Sequence, residues 1–364
     1  MSFLTKNKDV DLLILEKLSD KDLIRICLVN AYARKLSYNE DFWRRRFITR
    51  FGAEFMKWKN KDRTWREFYL AIIRNIYRYS LTGTVENIEG GLEESAFKGQ
   101  KDLVDFFIAK GAKNFENGVE AAIRGKNKDI VYYLISKGVN RGWNGFLDRA
   151  AETGDRELVD FFISKGANDW DDALVMASEG GHKELVDFFI SKGAKKWNAA
   201  LSAAAEGGHK ELVDFFISKG AKKWNDALRK ATKARNKELI SFFLAKGATN
   251  LNEGVVDAIR GGDVQLVEFF LDKGGKIIDW NDALDWALRF NRVDMAMYII
   301  NKGESKRVKF DFDDALSTVA FNGNLELVKF FVMKGAKDYN DAIKAAKRKG
   351  HNHIIYYLES LQSV

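Results

Sequence analysis

A Lys-Gly-Ala tripeptide, or a close variant of it, returns along this chain with its glycine at 111, 138, 166, 193, 220, 247, 274, 303 and 335, at intervals of 27, 28, 27, 27, 27, 27, 29 and 32 residues. A tenth, incomplete unit runs from Asp341 to Leu361. Residues 179–198 and 206–225 are identical over twenty positions, EGGHKELVDFFISKGAKKWN, which points to a recent duplication. A fixed period of this size signals one supersecondary unit used many times, each burying its apolar face against the next. A length of 364 residues alone would suggest two or three globular domains. The repeat replaces that expectation with a quasi-linear core.

One unit, from Asn225 to Lys246, shows the pattern. Asn225 or Asp226 is expected to cap a short first helix. Ala227, Leu228 and Ala231 share a face of that helix, and the small alanines permit close approach by a neighbour. Arg235-Asn236, Gly-Gly in other units, makes the turn. Leu239, Ile240, Phe242, Phe243 and Leu244 then form a second helix too apolar for a surface element. Gly247 stands where a left-handed residue ends a helix, after Lys246, whose charge suits the negative end of the helix dipole.

These residues resemble ankyrin repeats. Aligned on the turn, Ala199-Ala200-Leu201-Ser202-Ala203-Ala204-Ala205-Glu206-Gly207-Gly208-His209-Lys210-Glu211-Leu212-Val213 falls where that family shows T-P-L-H-x-A-A-x-x-G-H-x-x-V-V. Phe215-Phe216-Ile217 and Gly220-Ala221 match its L-L-L and G-A, and the resemblance covers about 91–361. The chain contains no proline, so the T-P-L-H signature is altered in every unit, and the period is 27 where the family has about 33. The deficit falls in the loop that builds the family's β-hairpin fingers. The resemblance implies an all-α solenoid of about ten helix-turn-helix repeats without long fingers, holding a partner by its inner helices and short turns.

An apolar residue, usually aromatic, precedes the Asn/Asp in nearly every unit: Phe115, Trp143, Trp170, Trp197, Trp224, Leu251, Trp280, Phe312, Tyr339. It fits either an aromatic ladder offered to a partner or a hydrophobic staple at N′ with neighbouring rings packed together; its near invariance favours the staple. Recognition is expected at positions that vary. These are the two sites after the Leu position of each first helix, which face inward in ankyrin-like stacks. They include Arg149, Met176, Arg229, Asp285 and Trp286, expected here to bind a target protein, Trp286 being the one large aromatic among them.

The N-terminal segment has no such period. Val10, Ile14, Leu15, Leu18, Leu23, Ile26, Val29 and Leu36 recur at three- to five-residue steps, so residues 9–46 read as two or three short amphipathic helices with Ser19-Asp20 as a break. The run from Asp9 through Asp22-Leu23 to Phe42-Trp43 resembles an F-box, with Lys6-Asn7 where that family has Leu-Pro and Ala33 where it often has Trp. The resemblance implies docking on the Skp-type linker protein of a cullin-RING ubiquitin ligase through Val10, Ile14, Leu15, Leu18 and Leu23. The pairing of F-box and ankyrin repeats also resembles proteins of large DNA viruses and their hosts, which would place the chain in the host cell cytoplasm. The expected organisation is an F-box-like domain at 1–48, a basic helical linker at 49–90 and the repeats at 91–364. An interaction module that blocks or tethers its target without ubiquitination is the alternative.

Residues 42–78 carry eleven Arg and Lys against three acids, which equals the whole formal charge of +8. With Trp43, Trp58 and Trp65 interleaved, such a stretch suits nucleic acid phosphates or an acidic protein. Positions 64–79 also read as an amphipathic helix whose apolar face (Trp65, Phe68, Tyr69, Ile72, Ile73, Ile76) is core, which favours a solvated linker and disfavours nucleic acid. The single Cys27 fits a packed thiol in a reducing compartment, cytosolic or nuclear, and no 18-residue apolar run suggests a membrane span. His182 and His209 sit at repeat turns, and His351 and His353, two apart, suit a solvated cap better than a metal. No phosphate-loop, zincin or nucleophile-elbow motif is present, so neither catalysis nor a cofactor is expected. Capping units at both ends favour a monomer.

Overall fold

The computed structural model describes residues 4–77, apart from Lys6, and 87–362. Lys6 of the F-box resemblance and Arg78 of the basic stretch lie outside the described residues, as do the side chains of Val29 and Ile76. Every regular element among the described residues is helical. Two compact units divide the chain, one of Met1–Ala177 with Asp187–Gly193 and the other of Ser178–Val186 with Ala194–Val364.

In the first unit, α1 (Lys8–Lys17), α2 (Asp20–Val29), α3 (Ala31–Leu36) and α4 (Glu40–Phe51) lead through a 3-10 turn, Ala53–Trp58, to α5 (Trp65–Tyr77). Ser19 caps α2 by accepting from the Asp22 amide at 3.1 Å. The repeats follow as helix pairs: α6 (Ile88–Phe97) with α7 (Lys101–Ala109), α8 (Phe115–Arg124) with α9 (Lys128–Ser136), and α10 (Trp143–Thr153) with α11 (Arg156–Ser164). The division between units runs through the next pair, α12 (Trp170–Gly180) and α13 (Lys183–Ser191). The second unit continues with α14 (Trp197–Gly207), α15 (Lys210–Ser218), α16 (Trp224–Lys233), α17 (Lys237–Ala245), α18 (Leu251–Gly261), α19 (Val264–Asp272), α20 (Trp280–Arg289) and α21 (Val293–Ser305). It ends with α22 (Phe312–Asn322), α23 (Leu325–Met333), α24 (Tyr339–Lys349) and α25 (Asn352–Gln362). Within each unit successive first helices pack side by side, α6 on α8 on α10 in one and α14 through α24 by even numbers in the other.

The repeat chemistry explains the packing. In α15, Leu212, Val213 and Phe216 are at most 2% exposed, and in α16 Ala227, Leu228 and Ala231 are at most 1% exposed. The second helix ends as its sequence dictates: the Gly247 amide bonds the Leu244 carbonyl, the Ala248 amide bonds the Phe243 carbonyl, and Gly247 sits at φ +99°. The eighth such glycine departs from this. Gly303 lies inside α21, where a Cβ would stand 2.5 Å from Phe310 and 3.1 Å from Trp280, and Arg307 takes the left-handed position instead. The longer loop after Gly303 folds Phe310 onto the helix, so the helix needs a residue without a side chain there.

The aromatic of each repeat and its neighbouring Asn/Asp do different work from that expected. The aromatic is the first helical residue, and in the repeats of Trp143, Trp170, Trp197 and Phe312 it lies over the second helix of its own repeat, Trp170 on Phe189 and Trp197 on Phe216 each at 6.5 Å and nearly parallel. It is therefore neither an N′ staple nor an exposed ladder. Where a side chain caps a first helix, it comes from the residue before the aromatic, as with Asn114, Asp169, Asp279, Asp311 and Asp338. Asn225 does not cap α16. Its Oδ1 accepts the amides of Thr249 at 2.7 Å and Asn250 at 3.3 Å, in the loop of the next repeat. Asn144, Asn198, Asn252, Asn281 and Asp313 repeat this latch, and Glu89 takes the same role toward Lys113 and Asn114. Loops too short to build hairpins leave amides unpaired, and these side chains satisfy them.

Asp313 is a latch that carries a carboxylate, as Glu89 is. The amides of Asp338, at 2.9 Å, and Lys337 hold its pKa below the usual carboxylate range. Its folded pKa is thus lower than its unfolded pKa, so its contribution is complete above about pH 4 and is lost as pH falls through the folded value. Asp313→Asn keeps an acceptor that does not titrate. The melting midpoint of the wild type is expected to fall more steeply between about pH 5 and pH 3 than that of the variant. Parallel midpoint curves would remove this role.

Candidate functional site

Three surfaces are available for recognition, and elementary chemistry distinguishes them. The outer face, made by the second helices, is occupied by its own side chains. Arg156 lies 4.0 Å over the Phe188 ring in the first unit, and Lys183 and Lys210 lie 4.2 and 4.0 Å over Phe215 and Phe242 in the second. Phe188, Phe215 and Phe242 each also lie under the lysine that ends their own helix, Lys192, Lys219 or Lys246. Arg156 and Lys210 pair in addition with Asp160 and Asp214, one turn on. These cations and rings serve to hold repeats together, at about 0.5–1 kcal/mol per cation–π contact.

The inner face, made by the first helices, carries the residues expected to bind a target. Arg149 and Met176, in the first unit, are half-buried, and Arg149 pairs with Glu152. In the second unit Arg229 is exposed. Asp285 bonds Arg289 at 2.6 Å and accepts from Thr318 at 3.3 Å, while Trp286 is half-buried with the Arg260 guanidinium 4.7 Å above its ring. Arg260 and Lys233, which the sequence reading passed over, stand one turn beyond the variable pairs on the same helix face. That i, i+3/i+4 spacing was the signal that could have found them.

The N-terminal helices form the third surface, where burial corrects the expected contacts. Leu15 and Leu23 are 0% and 1% exposed, so they are core of this chain and cannot dock a partner. Ile14 and Leu18 are half-buried, and Val10 is 42% exposed. Besides Val10, the large apolar side chains facing solvent here are Leu13, Ile24, Leu28 and Tyr38, Leu28 being 67% exposed. Beside them a cleft of about 250 Å³ is lined by Ile24, Leu28, Tyr38, Leu70, Arg66 and Arg74 among others. Cys27 also borders it, its thiol pKa pushed up by burial, as for a packed thiol.

Many cations of the basic stretch lie against groups of this chain. Arg46 and Arg50 pair with Asp20, Arg45 with Glu16 and Arg63 with Asp102, while Lys57, Lys59 and Arg66 lie over Trp58, Trp65 and Tyr38. α5 buries Phe68, Tyr69, Ile72 and Ile73. These contacts engage the named cations with acids and rings of this chain itself. His209 and His351 are turn residues bonding the carbonyls of Glu179 and Phe321 in the preceding repeat at 3.0 and 3.1 Å. No helix among the described residues is long and apolar enough to cross a membrane.

Residues 147–227 match the family model for ankyrin repeats, in three copies. No curated protein matches the chain. Ankyrin repeats indicate a protein–protein interaction module, generally non-catalytic, and imply a protein partner.

Proposed function

We propose that the chain is the substrate-recognition adaptor of an SCF-type, cullin-RING ubiquitin ligase, with α1–α4 docking on the Skp-type linker and the repeats presenting a target protein. In this reading it works as a monomer in the cytoplasm or nucleus, the host cytoplasm if its likeness to proteins of large DNA viruses holds. The observation that carries the proposal is the exposure of four large apolar side chains on the two helices of the resemblance, Val10 and Leu13 on α1 and Ile24 and Leu28 on α2. The F-box resemblance supplies the identity of the partner.

The test is capture of the linker by the full-length chain. Wild type is expected to retain it, and Leu13→Asp with Leu28→Asp to lose at least about 2 kcal/mol of affinity, roughly thirtyfold, as at a buried hot spot. Both positions are exposed, so the variant keeps its fold, which circular dichroism verifies. A wild-type chain that fails to retain the linker ends the adaptor reading and leaves the interaction module alone.

A further inference from the structure

We propose that the inner face of the second unit is a docking site for an acidic peptide segment, held by Arg229, Lys233 and Arg260 around Asp257. This rests on the reading of the repeats as the target-binding part and assigns the chemistry of the target.

The inward register of α16 to α24 carries Arg229, Lys230, Lys233, Arg260, Arg289, Lys344 and Arg348 against Asp257 and Asp285. The same register of α6 to α10 carries Glu93, Glu94, Glu120, Asp148 and Glu152 against Arg124 and Arg149, so the cationic bias belongs to the second unit. Some of its cations are neutralised at home: Lys230 by Glu206, Arg289 by Asp285, Lys344 by Asp341. Arg229, Lys233 and Arg260 have no such ion pair among the described residues, and they surround Asp257 electrostatically. A cleft of about 200 Å³ opens there, lined by Thr232, Lys233, Asp257, Arg260 and Asp263 together with Arg235, which is turned onto the Gly261 carbonyl. Arg260 is held in place by the Trp286 ring.

One acceptor waits inside this positive rim. Asp257 Oδ2 is buried and takes no hydrogen bond, and burial raises the pKa of its carboxyl against the pull of the three cations. The fitting ligand therefore brings several anions and one N–H or O–H donor. A peptide rich in Asp and Glu has both, side-chain carboxylates for the rim and a main-chain amide for Asp257. A nucleic acid backbone presents acceptors only and would meet Asp257, Asp263 and Asp285 as like charges.

Fluorescence anisotropy of a labelled Glu-rich decapeptide with the full-length chain tests the site. Wild type is expected to bind, with affinity that falls as salt rises. Arg229→Glu with Lys233→Glu and Arg260→Glu should weaken binding at least about tenfold. The same number of reversals at the exposed Lys222, Lys276 and Lys309 of this unit should change it by less than about twofold. Asp257→Leu gives the sharpest sign: charge alone predicts tighter peptide binding, whereas loss of the amide acceptor predicts weaker binding, by about threefold or more. Absent binding, an equal loss in the control, an unchanged or tighter Asp257→Leu, or tighter binding of single-stranded DNA of equal charge would each overturn the proposal. These variants leave α1 and α2 untouched. Linker capture without peptide binding would sink this proposal alone, and peptide binding without linker capture would sink the adaptor reading alone.

Discussion

Replacing Phe106 by alanine is expected to cost about 3–5 kcal/mol, the usual range for truncating a fully buried aromatic. Phe106 is 0% exposed on the first repeat's second helix, yet the rings around it come mostly from elsewhere. Phe51, Phe55, Phe47 and Phe68 lie at 5.3, 5.7, 6.0 and 6.1 Å, with Phe107 of its own helix at 5.3 Å. Four of these five rings belong to α4, the 3-10 turn and α5. The cavity would therefore open where the N-terminal helices sit on the first repeat, a joint that Lys110 also closes by bonding the Phe51 carbonyl at 2.9 Å. Urea unfolding measures the loss, and hydrogen exchange locates it, with amides of 40–77 expected to lose protection. Phe216→Ala is a matched truncation in the second unit and should leave 40–77 protected. If both variants expose 40–77 equally, the N-terminal helices are not anchored through Phe106.

That joint shows where sequence reading stops. The repeat was legible because each unit restates its own physics: alanines where helices approach, a Leu-Val-x-x-Phe stripe where they bury, a glycine where φ must turn positive. The helix break at Ser19 was legible for the same local reason. The docking of Phe47, Phe51 and Phe68 on Phe106 was not, because it joins residues more than thirty positions apart, which no period reports. The latch of Asn225 was misassigned for a related reason. An Asn at a helix start satisfies local capping rules, and only the fold shows that the amides it accepts belong to the next repeat. At the candidate surfaces the residue types were legible and their exposure was not: Leu15 and Leu13 are equally apolar, and the helix hand decides that the first is core and the second faces water. Asp257 stands two residues after Val255, at a site of the varying kind, but no sequence pattern marks its Oδ2 as a buried acceptor.

Arg46 carries the same lesson into energetics. It is one of three consecutive arginines at 44–46, in the stretch that holds the chain's entire net charge, and looks like part of a surface for phosphates. Its spacing says otherwise, since it falls four residues after Phe42 and three after Trp43, on the buried stripe of α4. The guanidinium is spent inside: Nη2 donates to Asp20 Oδ1 at 2.7 Å and to the Leu18 carbonyl at 2.7 Å, Nη1 to the Glu16 carbonyl at 2.9 Å, and Nε to Tyr69 Oη at 3.1 Å. Tyr69 in turn donates to the same Asp20 oxygen at 2.7 Å. One side chain thus closes the C-terminal end of α1, the start of α2 and the face of α5. Arg46→Met keeps the volume and removes every donor, leaving the end carbonyls of α1 short of partners and Asp20, 7% exposed, with only Arg50 and Tyr69 among the described residues. Breaking a buried pair from one side costs about 3–5 kcal/mol. Arg46→Lys keeps the charge, but its point ammonium cannot span the fork, so it is expected to recover only part of the loss. Asp20→Asn combined with Arg46→Met should cost less than the sum of the two single changes, because both remove the same ion pair. A methionine variant within about 1 kcal/mol of wild type in urea would show that water replaces the guanidinium, and would return Arg46 to the surface charge it resembles in sequence.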